Sequence, residues 1–185
     1  MFQKILVANR GAIACRVIRT LDRMGISSVA VYSDADRHAR HVRMAGHAVR
    51  IGPPRAAESY LNVEAVIEAA RATGAEAIHP GYGFLSENAN FAEACREAGI
   101  VFIGPRPEHM RAFGLKHEAR ALAQAAGVPL APGSGLVESL TDAQRAVDAI
   151  GYPVMLKSTA GGGGIGLQRV HTADELPEVF ARVSR

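Results

Sequence analysis

Along the first hundred or so residues, short apolar runs, polar turns and stretches with an apolar residue every three or four positions follow one another in a regular cycle. Apolar runs that do not alternate with polar residues read as strands buried on both faces, as in a parallel sheet. They fall at Lys4–Ala8, Ser27–Tyr32, Ala48–Ile51, Glu76–His79 and Ile100–Ile103. Helical spacing places Ile13, Val17, Leu21 and Met24 on one face after the first run, and predicts further helices over Leu61–Thr73 and Glu87–Ala98. Strands and helices alternating in this way predict an α/β fold: an open, parallel, Rossmann-like sheet covered on both faces.

After Gly104-Pro105-Arg106-Pro107 the pattern changes. Glu108–Gly114 and Lys116–Ala126 read as two consecutive helices forming a connector, and Val128–Gly135, with two prolines, reads as an extended linker. Thr141-Asp142-Ala143-Gln144 has the form of a capping box and opens a predicted helix to Ile150; Thr172-Ala173-Asp174-Glu175 repeats the form before the last helix. Two strands flank a glycine-rich loop between them. The expected organisation is therefore an α/β domain at 1–105, a connector at 106–135 and a small strand–loop–strand unit with helices at 136–185.

Composition narrows the function. Of 185 residues, 48% are hydrophobic, enough for one good core or two small ones. No apolar run reaches the roughly 20 residues that a membrane helix needs, and Met1 to Lys4 leads straight into a strand without a leader pattern, so the cytoplasm is the expected compartment and no membrane partner is expected. Net charge is +3, with bases and acids interspersed, and the chain has no Trp and only 5% aromatics. Nucleic acid is thus not an expected partner, because its recognition wants clustered bases with stacking aromatics. Cys15 and Cys95 lie in alanine-rich helical patterns without Cys or His company and are expected as buried thiols.

The chemistry concentrates in Tyr152-Pro153-Val154-Met155-Leu156-Lys157-Ser158-Thr159-Ala160-Gly161-Gly162-Gly163-Gly164-Ile165-Gly166-Leu167-Gln168. Glycines in series have nothing to bury; their use is backbone freedom and close approach to a ligand. Successive peptide N–H groups without Cβ atoms form an anion nest, and Lys157 at the end of the preceding strand adds a compact positive charge. A phosphate-bearing nucleotide suits both. The order differs from a Walker A loop, in which the lysine follows the glycines, and the single Gly11 after the first strand does not make a dinucleotide fingerprint.

A second loop, Pro80-Gly81-Tyr82-Gly83-Phe84-Leu85-Ser86-Glu87-Asn88, lies at the carboxyl end of a predicted strand, the edge at which open α/β sheets bind ligands. Spacing leaves two readings open: Tyr82 and Gly83 meet a ligand, or the aromatics plug the sheet end while Ser86 or Asn88 caps the next helix. Arg16, Arg19 and Arg23 form a stripe that reads first as a solvated helix face, with a subunit contact as the alternative. His38 and His41 read as a solvated face of a helix, since no third metal ligand accompanies them.

Lys4-Ile5-Leu6-Val7-Ala8-Asn9-Arg10, His79 through Asn88, and Gly151-Tyr152-Pro153 leading to Lys157 and its glycines together closely resemble the biotin carboxylase component of biotin-dependent carboxylases, of the ATP-grasp superfamily. The resemblance covers essentially the whole chain. It implies a pre-ATP-grasp sheet followed by part of an ATP-grasp lid, and a reaction in which MgATP and bicarbonate, through carboxyphosphate, carboxylate biotin on a carrier domain. By the resemblance, Lys116, Lys157, Gly162, Gly163, Gly164 and Gly166 would contact ATP, while Tyr82 and Gly83 would lie near biotin and bicarbonate. It further implies carrier and carboxyltransferase domains as partners, a homodimer that uses the region of Ala12–Met24, and Mg²⁺ ligands and catalytic groups beyond Arg185, so that none is catalytic or metal-binding within this segment. Ala12, Gly114-Leu115-Lys116-His117, Ser158-Thr159-Ala160 and Ile165 depart from the acyl-CoA carboxylase pattern and look more like urea carboxylase, including the carboxylase part of urea amidolyase. A small flap cannot enclose a nucleotide alone, so a portion of a longer polypeptide is expected, inactive in isolation. The alternatives are a degenerate nucleotide-binding or dimerisation module, and another ATP-grasp ligase.

Overall fold

The computed structural model describes residues 1–158 and 166–184. The chain divides into two compact units, Met1–Arg111 and Ala112–Arg185.

The first unit is built on five strands: β1 (Lys4–Val7), β2 (Ser27–Ser33), β3 (His47–Gly52), β4 (Ala77–His79) and β5 (Val101–Phe102). All pair in parallel, in the order β3-β2-β1-β4-β5, with β1 central: Leu6 stands opposite Val29 on one side and Ile78 on the other. The central strand shows why the apolar run does not alternate. Ile5 and Val7 enter one core layer while Leu6 and Ala8 enter the other, so every apolar side chain of the run is buried.

Helices α1 (Gly11–Arg23) and α2 (Arg40–Met44) cover one face, and α3 (Val63–Thr73) and α4 (Ala89–Glu97) the other. Helix α3 starts where Asn62 accepts the Ala65 N–H at 3.0 Å and stops at Gly74, whose φ of +67° only glycine adopts easily. The expected sheet, parallel and covered on both faces, is what the first unit shows. On the α1 face a groove of about 860 Å³ remains, lined by Phe2, Ile13, Val17, Met24, His79 and Ile103. That groove is also why Met24, expected among the buried positions of α1, is 53% exposed.

Helix α2 brings a correction. His41 is not on a solvated face; it is fully buried, and its Nε2 lies 3.2 Å from the Val31 carbonyl. The helix is only five residues long and lies on β2, while His38 precedes it in a turn. Arg16, Arg19 and Arg23 are exposed along α1. Cys15 and Cys95 are both buried and unbridged.

Helix α5 (Pro107–Gly114) leads from the first unit into the second, which holds α6 (Lys116–Ala125), α7 (Leu140–Ile150), the antiparallel pair β6 (Val154–Lys157) and β7 (Leu167–Val170), and α8 (Leu176–Val183). Its core joins Ala143, Val147, Val170, Leu176 and Val179. Both predicted helix starts shift. Ser139, not Thr141, caps α7: its Oγ accepts the Asp142 N–H at 3.1 Å and donates to the Asp142 carboxylate at 2.5 Å, the capping-box spacing met two residues earlier. Ala173–Glu175 is a short 3₁₀ turn ahead of α8; the Thr172 side chain makes no cap, and Glu175 instead accepts the His171 N–H at 2.8 Å. No helix among the described residues is long and apolar enough to cross a membrane.

Candidate functional site

In the first unit the carboxyl ends of β1 and β4 lie side by side, and Asn9, just past β1, ties the β4 loop down. Its Nδ2 donates to Pro80 O at 2.7 Å and to Tyr82 O at 2.8 Å, while its Oδ1 accepts the Arg10 N–H at 2.9 Å. Asn9 is 3% exposed, so these bonds satisfy an amide that water does not reach. Gly81 approaches so closely that a Cβ there would lie 2.8 Å from Asn9 Nδ2. The Gly81 N–H donates to His79 Nδ1 at 3.0 Å, and burial pushes that imidazole below its ordinary value of 6.5, which keeps the accepting nitrogen unprotonated.

The loop therefore turns through three left-handed positions, Gly81 (φ +66°), Gly83 (φ +68°) and Phe84 (φ +44°). Glycine adopts this region freely, whereas for a phenylalanine it costs on the order of 1 kcal/mol or more. The residues of the loop divide by burial. Leu85 is buried and Phe84 packs against the core, so these two plug the sheet end. Tyr82 is 67% exposed, and no atom stands within 4 Å of where a Gly83 Cβ would be. Asn88, not Ser86, caps α4 by accepting the Phe91 N–H at 3.0 Å.

Four side chains that the sequence reading did not single out form a cluster at Phe84, two of them against its ring. Its ring stacks on Tyr60 with centroids 5.0 Å apart, and the Arg10 guanidinium lies 5.4 Å from the Tyr60 centroid and 5.6 Å from that of Phe84. One oxygen of Asp36 accepts from Tyr60 Oη at 2.8 Å, Ser33 Oγ at 3.1 Å and Arg10 Nη1 at 3.2 Å. Burial works against the charge on Asp36, but the hydrogen bonds from Tyr60, Arg10 and Ser33 outweigh it and hold the carboxyl below its ordinary value. The available signal was topological. Asn9-Arg10 follows the central strand directly, at the sheet edge where parallel α/β folds bind ligands.

The second unit holds the other predicted positions. Strands β6 and β7 pair Val154 with Val170, Met155 with Arg169, Leu156 with Gln168 and Lys157 with Leu167. Strand alternation sends Val154, Leu156 and Val170 toward the core and leaves Met155, Lys157, Leu167 and Arg169 exposed on the opposite face. Ser158 closes the strand ends: its N–H donates to Gly166 O at 3.0 Å, and its carbonyl accepts from Lys116 Nζ at 3.4 Å. Gly166 has φ +76° and leaves no room for a Cβ beside the Ser158 hydroxyl. Lys116, the first residue of α6, and Lys157, the last of β6, thus stand at one end of the hairpin, two exposed ammonium groups beside a glycine turn. Gly162, Gly163 and Gly164 lie outside the described residues. Such an end can hold a polyanion such as a phosphate chain. Among the described residues no three His, Cys, Asp or Glu side chains are grouped to hold a metal ion.

Comparison with known proteins agrees with this division. A family model described as biotin carboxylase, N-terminal domain, matches residues 1–110, and one described as carbamoyl-phosphate synthase L chain, ATP binding domain, matches residues 116–185. The chain is 55% identical over 182 residues to urea amidolyase of Lachancea kluyveri, covering 98% of itself and 10% of that protein. It is 54% identical over 183 residues to biotin carboxylase 2 of Bacillus subtilis, covering 97% of itself and 41% of that protein. The biotin carboxylase domain dimer of Hydrogenobacter thermophilus 2-oxoglutarate carboxylase, solved in complex with MgADP, ADP and bicarbonate, superposes with a TM-score of 0.92 at 47% identity, over 99% of this chain and 40% of that one. The chain thus spans well under half the length of these relatives. A biotin carboxylase N-terminal domain matched over residues 1–110, with identity near half to relatives of that kind across nearly the whole chain, places this protein in the biotin carboxylase family.

Proposed function

We propose that this chain is the N-terminal part of a cytoplasmic biotin carboxylase, a ligase that uses MgATP and bicarbonate to carboxylate biotin borne on a carrier domain, within a urea carboxylase. In this reading residues 1–105 form the N-terminal α/β domain, 106–135 the connector and 136–185 part of the ATP-grasp lid. The observation that carries it is the contact of Lys116 Nζ with Ser158 O, next to Lys157 at the end of β6. Two cations beside a glycine turn suit the phosphates of ATP, with Gly162, Gly163, Gly164 and Gly166 supplying peptide N–H donors. Met155 and Leu167, exposed on the same face, offer apolar contact to the flat base. Bound ATP would supply the activated phosphoryl group, and Lys116 and Lys157 would bind and orient it.

Tyr82 and Gly83 are assigned to the neighbourhood of biotin and bicarbonate, in keeping with the exposed ring and open glycine of an otherwise fixed loop. A homodimer is proposed by likeness to the dimeric H. thermophilus domain, with Arg16, Arg19 and Arg23 of α1 as candidate contacts. Partners are the carrier and carboxyltransferase domains. The test is bicarbonate-dependent ATP cleavage by the full-length protein with urea, guanidine and acetyl-CoA supplied in turn. Stimulation by urea is expected; stimulation by acetyl-CoA alone would replace the urea assignment, and absence of bicarbonate-dependent cleavage would overturn the enzyme reading. Residues 1–185 alone are expected to show no turnover.

A further inference from the structure

Phe84 is the one non-glycine residue with positive φ among the described residues, and it directly follows the Tyr82-Gly83 pair. A bulky residue stays in that region only when its surroundings over-determine it, so what surrounds Phe84 sets the shape of the loop. Its ring is stacked on Tyr60 at an interplanar angle of 17°, and Tyr60, 2% exposed, is fixed in turn by donating to Asp36 and accepting the Ser33 N–H at 3.1 Å. Arg10 is nearly equidistant from both ring centroids and so spans the seam of the stack, while its Nη1 is held by Asp36. With Arg10 half-exposed, its ion pair with Asp36 alone would contribute modestly. As a cation held against two stacked rings, Arg10 opposes their separation.

The geometry points to Arg10 as a positioning residue: by clamping the Tyr60–Phe84 stack it keeps Phe84 left-handed and thereby fixes the direction in which Tyr82 and Gly83 are presented. This rests on the assignment of Tyr82 and Gly83 to the biotin and bicarbonate pocket, and extends it to a residue that need not touch either ligand. Arg10 does not act alone on the loop. Asn9 pins the carbonyls before and after Gly81, and Arg10 pins the ring after Gly83, so the two consecutive residues hold the turn from both ends.

The experiment uses the full-length enzyme with free biotin as acceptor and compares wild type, Arg10→Met, Arg10→Lys, Tyr82→Ala and the Arg10→Met/Tyr82→Ala double variant. Arg10→Met is expected to raise KM for bicarbonate or biotin by on the order of fivefold with KM for ATP unchanged, and Arg10→Lys, which keeps the cation against the rings, to recover most of that loss. Because Arg10 acts through the loop, the double variant should be no worse than Tyr82→Ala alone. A uniform fall in kcat with every KM unchanged, or additive effects in the double variant, would overturn the proposal. If Tyr82→Ala itself leaves bicarbonate and biotin kinetics unchanged, the pocket assignment is what fails. Should Arg10→Met not fold, Arg10→Gln, which removes the cation but keeps a polar side chain, must give the same KM pattern for the proposal to stand.

Discussion

Lys116 at the start of α6 donates to the carbonyl of Ser158 at 3.4 Å, across 42 residues of chain. The contact places its ammonium beside the strand end that carries Lys157. In the full-length enzyme, replacing either lysine with methionine is expected to raise the Kd for ATP by about tenfold or more, since charge-assisted hydrogen bonds to phosphate are among the stronger polar contacts. Both residues are exposed, so thermal unfolding should barely change. Calorimetric titration with ATP checks the first expectation, and an unaltered Kd for either variant removes that lysine from the nucleotide site.

Removing the Asn9 amide leaves Pro80 O without its partner where water does not reach, and Tyr82 O without its partner in a part-buried place. Asn9→Ala is expected to lower stability by roughly 2–4 kcal/mol, and Asn9→Asp by more, because a carboxylate would face both carbonyls with no proton to share. Urea unfolding midpoints measure this, and equal midpoints for wild type and Asn9→Ala would show that the amide does not hold the loop.

Acid should destabilise the first unit through two histidines. Burial pushes both His41 and His79 below the ordinary value of 6.5, so the unfolded chain takes up protons before the folded one does. Their contribution is fully present above about pH 6.5 and is lost as pH falls toward the lower folded-state values, with a slope of up to about 1.4 kcal/mol per pH unit for each group. His41→Gln, which keeps a donor for Val31 O but cannot titrate, should flatten the stability profile below pH 6.5. A variant with the same slope as wild type would rule His41 out as a source.

Burial pushes the Cys95 thiol up to about 12, and Cys15 is enclosed as well. Ellman's reagent at pH 8 is therefore expected to find both thiols slow to react in the folded protein and fast in denaturant. Rapid native reaction at Cys95 would show that α4 opens readily.

The sheet was legible because a parallel strand buried on both faces leaves an unbroken apolar run, as in Lys4–Ala8, and turn glycines such as Gly74 mark where helices stop. Boundaries drifted where one signal fitted two neighbouring positions: Ser139-Leu140-Thr141-Asp142 and Thr141-Asp142-Ala143-Gln144 both have capping form, and the structure uses the first. His41 was misread because its helix is too short to show a period and its burial depends on β2. Of the candidate site, Lys157 and the glycines stand out by their order along the chain, whereas Lys116 enters only through the family resemblance. Asn9, Arg10, Asp36, Tyr60 and Phe84 do not stand out by order, since they meet only when the ends of β1, β2 and β4 are brought together by parallel pairing.

The strand order has a consequence for synthesis on the ribosome. The polypeptide emerges N-terminus first, so β1, β2 and β3 are all available to assemble while β4 is still unmade or inside the exit tunnel. Throughout that interval one side of the most apolar strand is an open hydrogen-bonding edge, able to pair with another nascent chain. A pause in translation that leaves β4 unmade or inside the tunnel would prolong that exposure, whereas a pause after β4 has emerged would come once β1 has both its neighbours.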